Sequence, residues 1–166
     1  MKKFFATLFS IALFTLATQS AFAQYEKGDK LLNVGIGLGS YGYGNIGFGG
    51  SFEVGVHEAI SVGVLGGYSG TSYIGYNWSV LTIGARGSYH FNELLNLDNE
   101  QLDLYAGLGL AYRNYSYGGI RDNFGYNPIG LLSHIGGRYY FKPNMAAFAE
   151  LGSGFSALQV GLTFKF

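Results

Sequence analysis

The chain contains no cysteine. Disulfides, thiolate nucleophiles and Cys-ligated metals are therefore excluded. Charge is scarce as well: Asp, Glu, Lys and Arg make up 12% of the residues, about half the roughly 25% share of an ordinary soluble domain. A water-exposed surface cannot be covered with so few charges. Basic residues do not outnumber acidic ones, at ten each, so there is no electrostatic footprint for nucleic acid. Beyond Ala23 no uninterrupted apolar run reaches the roughly 18 residues of a membrane-spanning helix. Two prolines are present among 166 residues.

Glycine and aromatics fill the space these absences leave. There are 28 glycines, 14 tyrosines and 14 phenylalanines. Glycine at this density would weaken helices. A β-barrel in a membrane can use it in a narrow lumen, and can use aromatics at the two lipid–water interfaces.

The first residues read as an export signal. Lys2 and Lys3 precede an uncharged, mostly apolar run over 4–17, and Ala21-Phe22-Ala23 is a small-x-small cleavage site. The expectation is a Sec signal peptide over 1–23, cleaved before Gln24, followed by one domain over 24–166. Without Lys2 and Lys3, eight basic residues face ten acidic ones. An exported, charge-poor chain with no spanning helix points to a closed barrel, because only helices and closed barrels satisfy their backbone polar groups in lipid.

Period-two alternation predicts eight antiparallel strands, at 30–39, 46–57, 60–69, 78–91, 102–113, 129–141, 145–152 and 157–166. Leu32, Val34, Ile36 and Leu38 oppose Asn33, Gly35, Gly37 and Gly39 in the first. Leu104, Ala106, Leu108 and Leu110 oppose Asp103, Tyr105, Gly107 and Gly109 in the fifth. Glu53, Arg86, Asp103, Arg113 and Lys165 all fall on the non-apolar parity of their strands. In the sixth, Arg138 shares a face with His134 and Gly136; the phase of the seventh is set by turning Glu150 inward. The water-soluble alternative, a lipocalin-like barrel, would need its Gly, Ser and Thr face to serve as a solvated exterior. That is poor cover for water but suits a narrow interior.

The connections suggest orientation. The segments 40–45, 70–77 and 114–128 read as long loops rich in Tyr, Gly and Asn, whereas 57–59 and 142–144 are tight. Short turns belong to the periplasm and long loops to the outside. Two segments depart from this rule: 92–101 is long and acidic where a short turn is expected, and 153–156 is short. Tyr68, Trp78, Tyr112 and Tyr115 are placed near the outer interface. Tyr89, Phe91, Tyr139, Phe141, Phe164 and Phe166 are placed near the inner one.

The chain ends Gln159-Val160-Gly161-Leu162-Thr163-Phe164-Lys165-Phe166. A polar residue, a glycine and two aromatics two apart, ending on Phe, resemble the C-terminal signal of bacterial outer-membrane barrels. In pattern and length the whole of 24–166 is similar to the small eight-stranded OmpA/OmpX-like barrel superfamily. The resemblance implies an all-β, up-and-down transmembrane barrel of the outer membrane, a monomer surrounded by outer-membrane lipids. It also implies handling by periplasmic chaperones and the barrel assembly machinery, with Gln159, Gly161, Phe164 and Phe166 as the insertion signal. It implies no active site.

Little catalytic chemistry is legible. Two G-x-G-x-x-G matches, at 37–42 and 42–47, lack a following helix to present its N-terminus to a pyrophosphate and are read as Gly-rich strand and loop. His57, His90 and His134 lie on different strands with no metal-ligand spacing. Ser133 and His134 are adjacent on a strand and so point to opposite faces. No cofactor, metal or catalytic residue is expected. The lumen should hold Glu53, Asp103 and Glu150 against Arg86, Arg113, Arg138 and Lys165, mostly paired. Tyr41, Tyr43, Tyr73, Tyr76, Tyr115, Tyr117 and Tyr126, with Arg121, should form an exposed loop rim for an unidentified surface ligand. The functional expectation is a structural or adhesive outer-membrane barrel. The alternatives are a narrow pore for small polar solutes and, after it, a lipid A-modifying enzyme.

Overall fold

The computed structural model describes residues 25–39, 46–73, 76–117 and 128–166. The export segment 1–23 and the loop residues Tyr41, Tyr43, Arg121 and Tyr126 lie outside them. Eight strands follow one another: β1 (Lys30–Leu38), β2 (Ile46–His57), β3 (Ile60–Tyr73), β4 (Tyr76–His90), β5 (Leu102–Tyr117), β6 (Ile129–Lys142), β7 (Met145–Gly152) and β8 (Leu158–Lys165). Each pairs antiparallel with its sequence neighbour. β8 returns to β1 through Leu31↔Lys165 to Leu38↔Leu158, closing the barrel. Closure leaves no unpaired sheet edge, the condition lipid imposes on a β-structure.

Parity sorts the side chains as alternation predicts, and it runs opposite to a water-soluble barrel. Phe48, Leu108 and Leu131 on the outer surface are 64%, 61% and 67% exposed. Glu53, Asp103 and Arg138 inside are 0% exposed. The lipocalin-like arrangement is thereby excluded. Aromatic pairs mark the ends of the outward belt. Phe48 packs on Tyr68 toward one end and Tyr89 meets Phe91 edge-on at the other; Trp78 and Tyr115, expected at the outer interface, pack on each other on the inward parity of β4 and β5, above the lumen.

The central hairpins are longer than the alternation suggests. The segment 70–77, read as a loop, continues the β3–β4 ladder through Gly70↔Ser79, Thr71↔Trp78, Ser72↔Asn77 and Tyr73↔Tyr76. β5 likewise runs to Tyr117, opposite Trp78. Tyr73, Tyr76, Tyr115 and Tyr117 are therefore strand residues and not loop residues. The reason is physical. Alternation reports which solvent each face meets, whereas pairing needs only extended backbone. Once both faces leave the lipid, the apolar signal stops while the ladder does not. β4 and β5 have 15 and 16 residues, well beyond the roughly 9–11 that cross a bilayer.

Candidate functional site

Among the described residues, the lumen is where the fold gathers charged side chains from many strands. Arg138 of β6 lies at its centre, fully buried. Its Nη2 donates to Glu53 Oε1 and its Nη1 to Asp103 Oδ2, both at 2.9 Å. Its Nε donates to Asn33 Oδ1 at 3.3 Å. The guanidinium plane stacks on the Tyr105 ring, 4.0 Å from the centroid. A planar fork with donors on separate edges is what holding two carboxylates at once requires. A second cluster sits beside it. Arg86 of β4 grips Glu150 of β7 in a bidentate pair at 3.0 and 2.7 Å. Tyr105 donates to the same carboxylate at 3.1 Å. Arg86 Nη2 also comes within 3.7 Å of Glu53, so the two clusters are joined.

The remaining lone pairs of Glu53 are taken by small lumenal donors. Asn33 reaches Oε1 at 2.9 Å, and Ser61 and Ser88 each reach Oε2 at 2.9 Å. This explains the Ser, Thr and Asn residues of the inward parity: a buried carboxylate is tolerable only if its lone pairs are used. Glycine supplies the room. A Cβ at Gly107 would lie 2.6 Å from the His134 ring, and one at Gly136 would lie 2.6 Å from the Tyr105 ring. The His134 and Tyr105 rings thus occupy space that these glycines leave open.

Ser61, His90 and Asp103 stand in the order of a Ser-His-Asp triad, with Ser61 Oγ 3.1 Å from His90 Nε2 and His90 Nδ1 2.7 Å from Asp103. The hydrogen-bond count opposes that chemistry. Ser61 has one proton and gives it to Glu53. That proton is therefore turned away from His90 Nε2, where a general base would take it. A general base needs a free lone pair toward its nucleophile, and Ser61 is 0% exposed. Two guanidinium groups, Arg86 and Arg138, and the His90 imidazole thus face three carboxylates, Glu53, Asp103 and Glu150. Ser133 and His134 point apart, Ser133 outward and His134 inward. Among the described residues no group of three or more His, Asp and Glu side chains is placed to hold a metal.

Two of the expected lumen charges lie at its ends, outside the central network. Lys165 is at the rim, 3.0 Å from Asp29, because the last residue of a strand cannot reach the barrel's middle. Arg113 lies toward the opposite end and donates to the Ser153 carbonyl. In the C-terminal segment, Gln159 faces inward and donates to the Ser156 carbonyl. Gly161 lies against β1 and the Phe148 ring. Phe164 pairs with Leu32 and Met145, and Phe166 is exposed.

Alternation gave no sign of the two residues that occupy the lumen's ends. Tyr25, before β1, stacks flat on His90 with centroids 3.5 Å apart. Its hydroxyl sits between the carbonyls of His57 and Ile60. Burial, reinforced by Asp29 and Asp103, pushes its phenol pKa above the usual range. At the other end the 153–157 turn folds inward and buries Phe155 and Ser156. The Phe155 ring lies where Cβ atoms at Gly37, Gly49 and Gly67 would be. Gly67→Val is therefore expected to expel the ring at a cost of about 1–3 kcal/mol. Faster proteolysis within 153–157 of the folded barrel would report it. A sequence search for Gly on three adjacent strands at one level, near a turn with a single aromatic, could have found this contact.

No protein-family model and no curated protein sequence matches the chain. Solved structures do. The outer membrane protein OprG from Pseudomonas aeruginosa superposes with a TM-score of 0.60 at 11% identity, covering 88% of this chain and 99% of its own. The N-terminal β-barrel domain of Pseudomonas aeruginosa OprF superposes with a TM-score of 0.51 at 18% identity, covering 86% and 100%. At these identities the likeness shows the fold: the chain has the small eight-stranded barrel architecture of outer membrane proteins.

Proposed function

We propose that the protein is an integral outer-membrane barrel with a structural or surface-interaction role, its lumen acting as a non-conducting polar core. The carrying observation is the continuous pairing of Arg86, Arg138 and His90 with Glu53, Asp103 and Glu150 across five strands. Beside the Arg86–Glu150 pair a void of about 10 Å³ remains, lined by residues including Asn33, Ser51, Arg86 and Glu150. That is room for about one water. Ions crossing here would have to break ion pairs in a low-dielectric interior, which is strongly unfavourable. On this reading the outer hairpins, which overshoot the bilayer, are the parts that meet partners. Lipids surround the outward belt, the chain acts as a monomer, and the assembly machinery reads Gln159, Gly161, Phe164 and Phe166.

The test is single-channel recording of residues 24–166 refolded into planar bilayers. The wild type is expected to be silent and Arg86→Ala to leak, because that change strips Glu150 of its partner and widens the adjoining void. Discrete, ion-selective openings of the wild type would instead identify a narrow pore for small polar solutes, with the same charges as its filter.

A further inference from the structure

Among the described residues, Leu94 and Leu95 are the large apolar side chains that stand exposed away from the strands and the terminal Phe166. They lie in the 92–101 connection, on the same end of the barrel as Tyr25 and Phe166. A short polar turn would suffice there. The connection is built rather than loose. Leu95 N–H donates to the Phe91 carbonyl at 2.9 Å, and Asn96 N–H to the Glu93 carbonyl at 3.1 Å, forming one helical turn. Asn96 ends it at φ 47°, the left-handed conformation that asparagine tolerates. Buried Asn92 pins the turn to β5, donating to Asp103 at 3.1 Å and accepting from the Leu104 N–H at 2.9 Å.

Two observations fix which way the leucines face. Leu94 and Leu95 follow Phe91 by three and four residues, the spacing at which side chains of a helical turn are neighbours. The Phe91 ring contacts Tyr89, 5.1 Å between centroids, and Tyr89 belongs to the outward, lipid-side parity. Conversely, Asn92, Glu93, Asn96, Leu97 and Asp98 line the recess under the barrel mouth with His90. The two leucines do not. The turn is thus amphipathic about the barrel wall, with its acids toward the mouth and its leucines continuing the apolar belt.

We propose that the 92–101 turn rests on the inner leaflet of the outer membrane as a two-leucine anchor. Leu94 and Leu95 enter the boundary between headgroups and acyl chains, while Glu93 and Asp98 stay in water. The occupant is phospholipid, because the leucines extend a surface that lipid already covers. The anchor rests on the membrane-spanning reading and adds to it a fixed depth on the β4–β5 side.

The absence of cysteine allows a direct test, since each single-cysteine variant carries one spin label. Leu94→Cys, Leu95→Cys, Glu93→Cys and Leu108→Cys would be labelled and refolded into phosphatidylethanolamine–phosphatidylglycerol vesicles. Collision rates with oxygen and with a water-soluble nickel chelate would then be compared. The oxygen-to-nickel ratio is expected to be several-fold higher at 94 and 95 than at 93, and highest at 108. A low ratio at 94 and 95 with a high one at 108 overturns the anchor and leaves the membrane reading standing. Low ratios at all four positions overturn both. Spin–spin broadening at 94 that vanishes on dilution with unlabelled protein would identify a second copy as the occupant and also overturn the proposal.

Discussion

Replacing Arg138 with methionine is expected to destabilise the folded barrel by about 3–5 kcal/mol, the cost of removing one partner from a buried ion pair. Methionine keeps much of the volume and the packing on Tyr105 but removes every donor. Glu53 and Asp103 would then share a dry interior with their common counter-charge gone. Glu53 retains Asn33, Ser61 and Ser88, and Asp103 retains His90 and Asn92. The chain is therefore expected to fold still, with a lowered urea midpoint. Arg138→Lys should fall between, because one ammonium cannot present a planar fork to two carboxylates. Adding Glu53→Gln to Arg138→Met should recover part of the loss. Urea titration in detergent micelles, read by tryptophan emission, measures all four proteins. A loss under about 1 kcal/mol for Arg138→Met would show that the lumen is wet enough to solvate both carboxylates.

The second large effect lies on the opposite face. Leu108 is at the middle of β5, outward and 61% exposed, with Gly87 and Ser133 as its cross-strand partners. By the rules of a soluble protein an exposed Leu→Arg change away from special features costs within about 0.5 kcal/mol. In a bilayer the same guanidinium sits at the apolar midplane and costs about 2–4 kcal/mol. Leu108→Arg measured in phospholipid vesicles therefore discriminates the two solvents by sign and size. The penalty should shrink for an arginine placed nearer the rim, at Phe141. An equal cost at both positions would be incompatible with a lipid-facing belt.

The two predictions rest on different kinds of information. That Leu108 faces out and Arg138 faces in follows from parity alone, since a strand must alternate and a charge cannot face hydrocarbon. So do strand number, antiparallel order and the orientation of Ser133 against His134. Parity also assigns Lys165 to the inward face, where its ammonium lies over the buried Tyr140 ring, but parity carries no depth: a residue at a strand's last position sits at a rim and meets Asp29. It likewise ended β3 and β5 early, where the solvent changed but the pairing did not.

The period-two pattern and the composition of the chain determined the barrel, its inside and its outside, because membrane solvent and strand geometry act residue by residue. What tertiary structure alone decided is partnership. Which carboxylate Arg138 holds, that Glu53 takes the proton of Ser61, and that Tyr25 and Phe155 enter the two ends depend on the register of eight strands and on turns folding back. Those contacts join residues as far apart as Asn33 and Thr163, whose side chains are 2.7 Å from one another. Strand alternation carries no information about distance around a closed ring, so closure had to be seen before the charges could be paired.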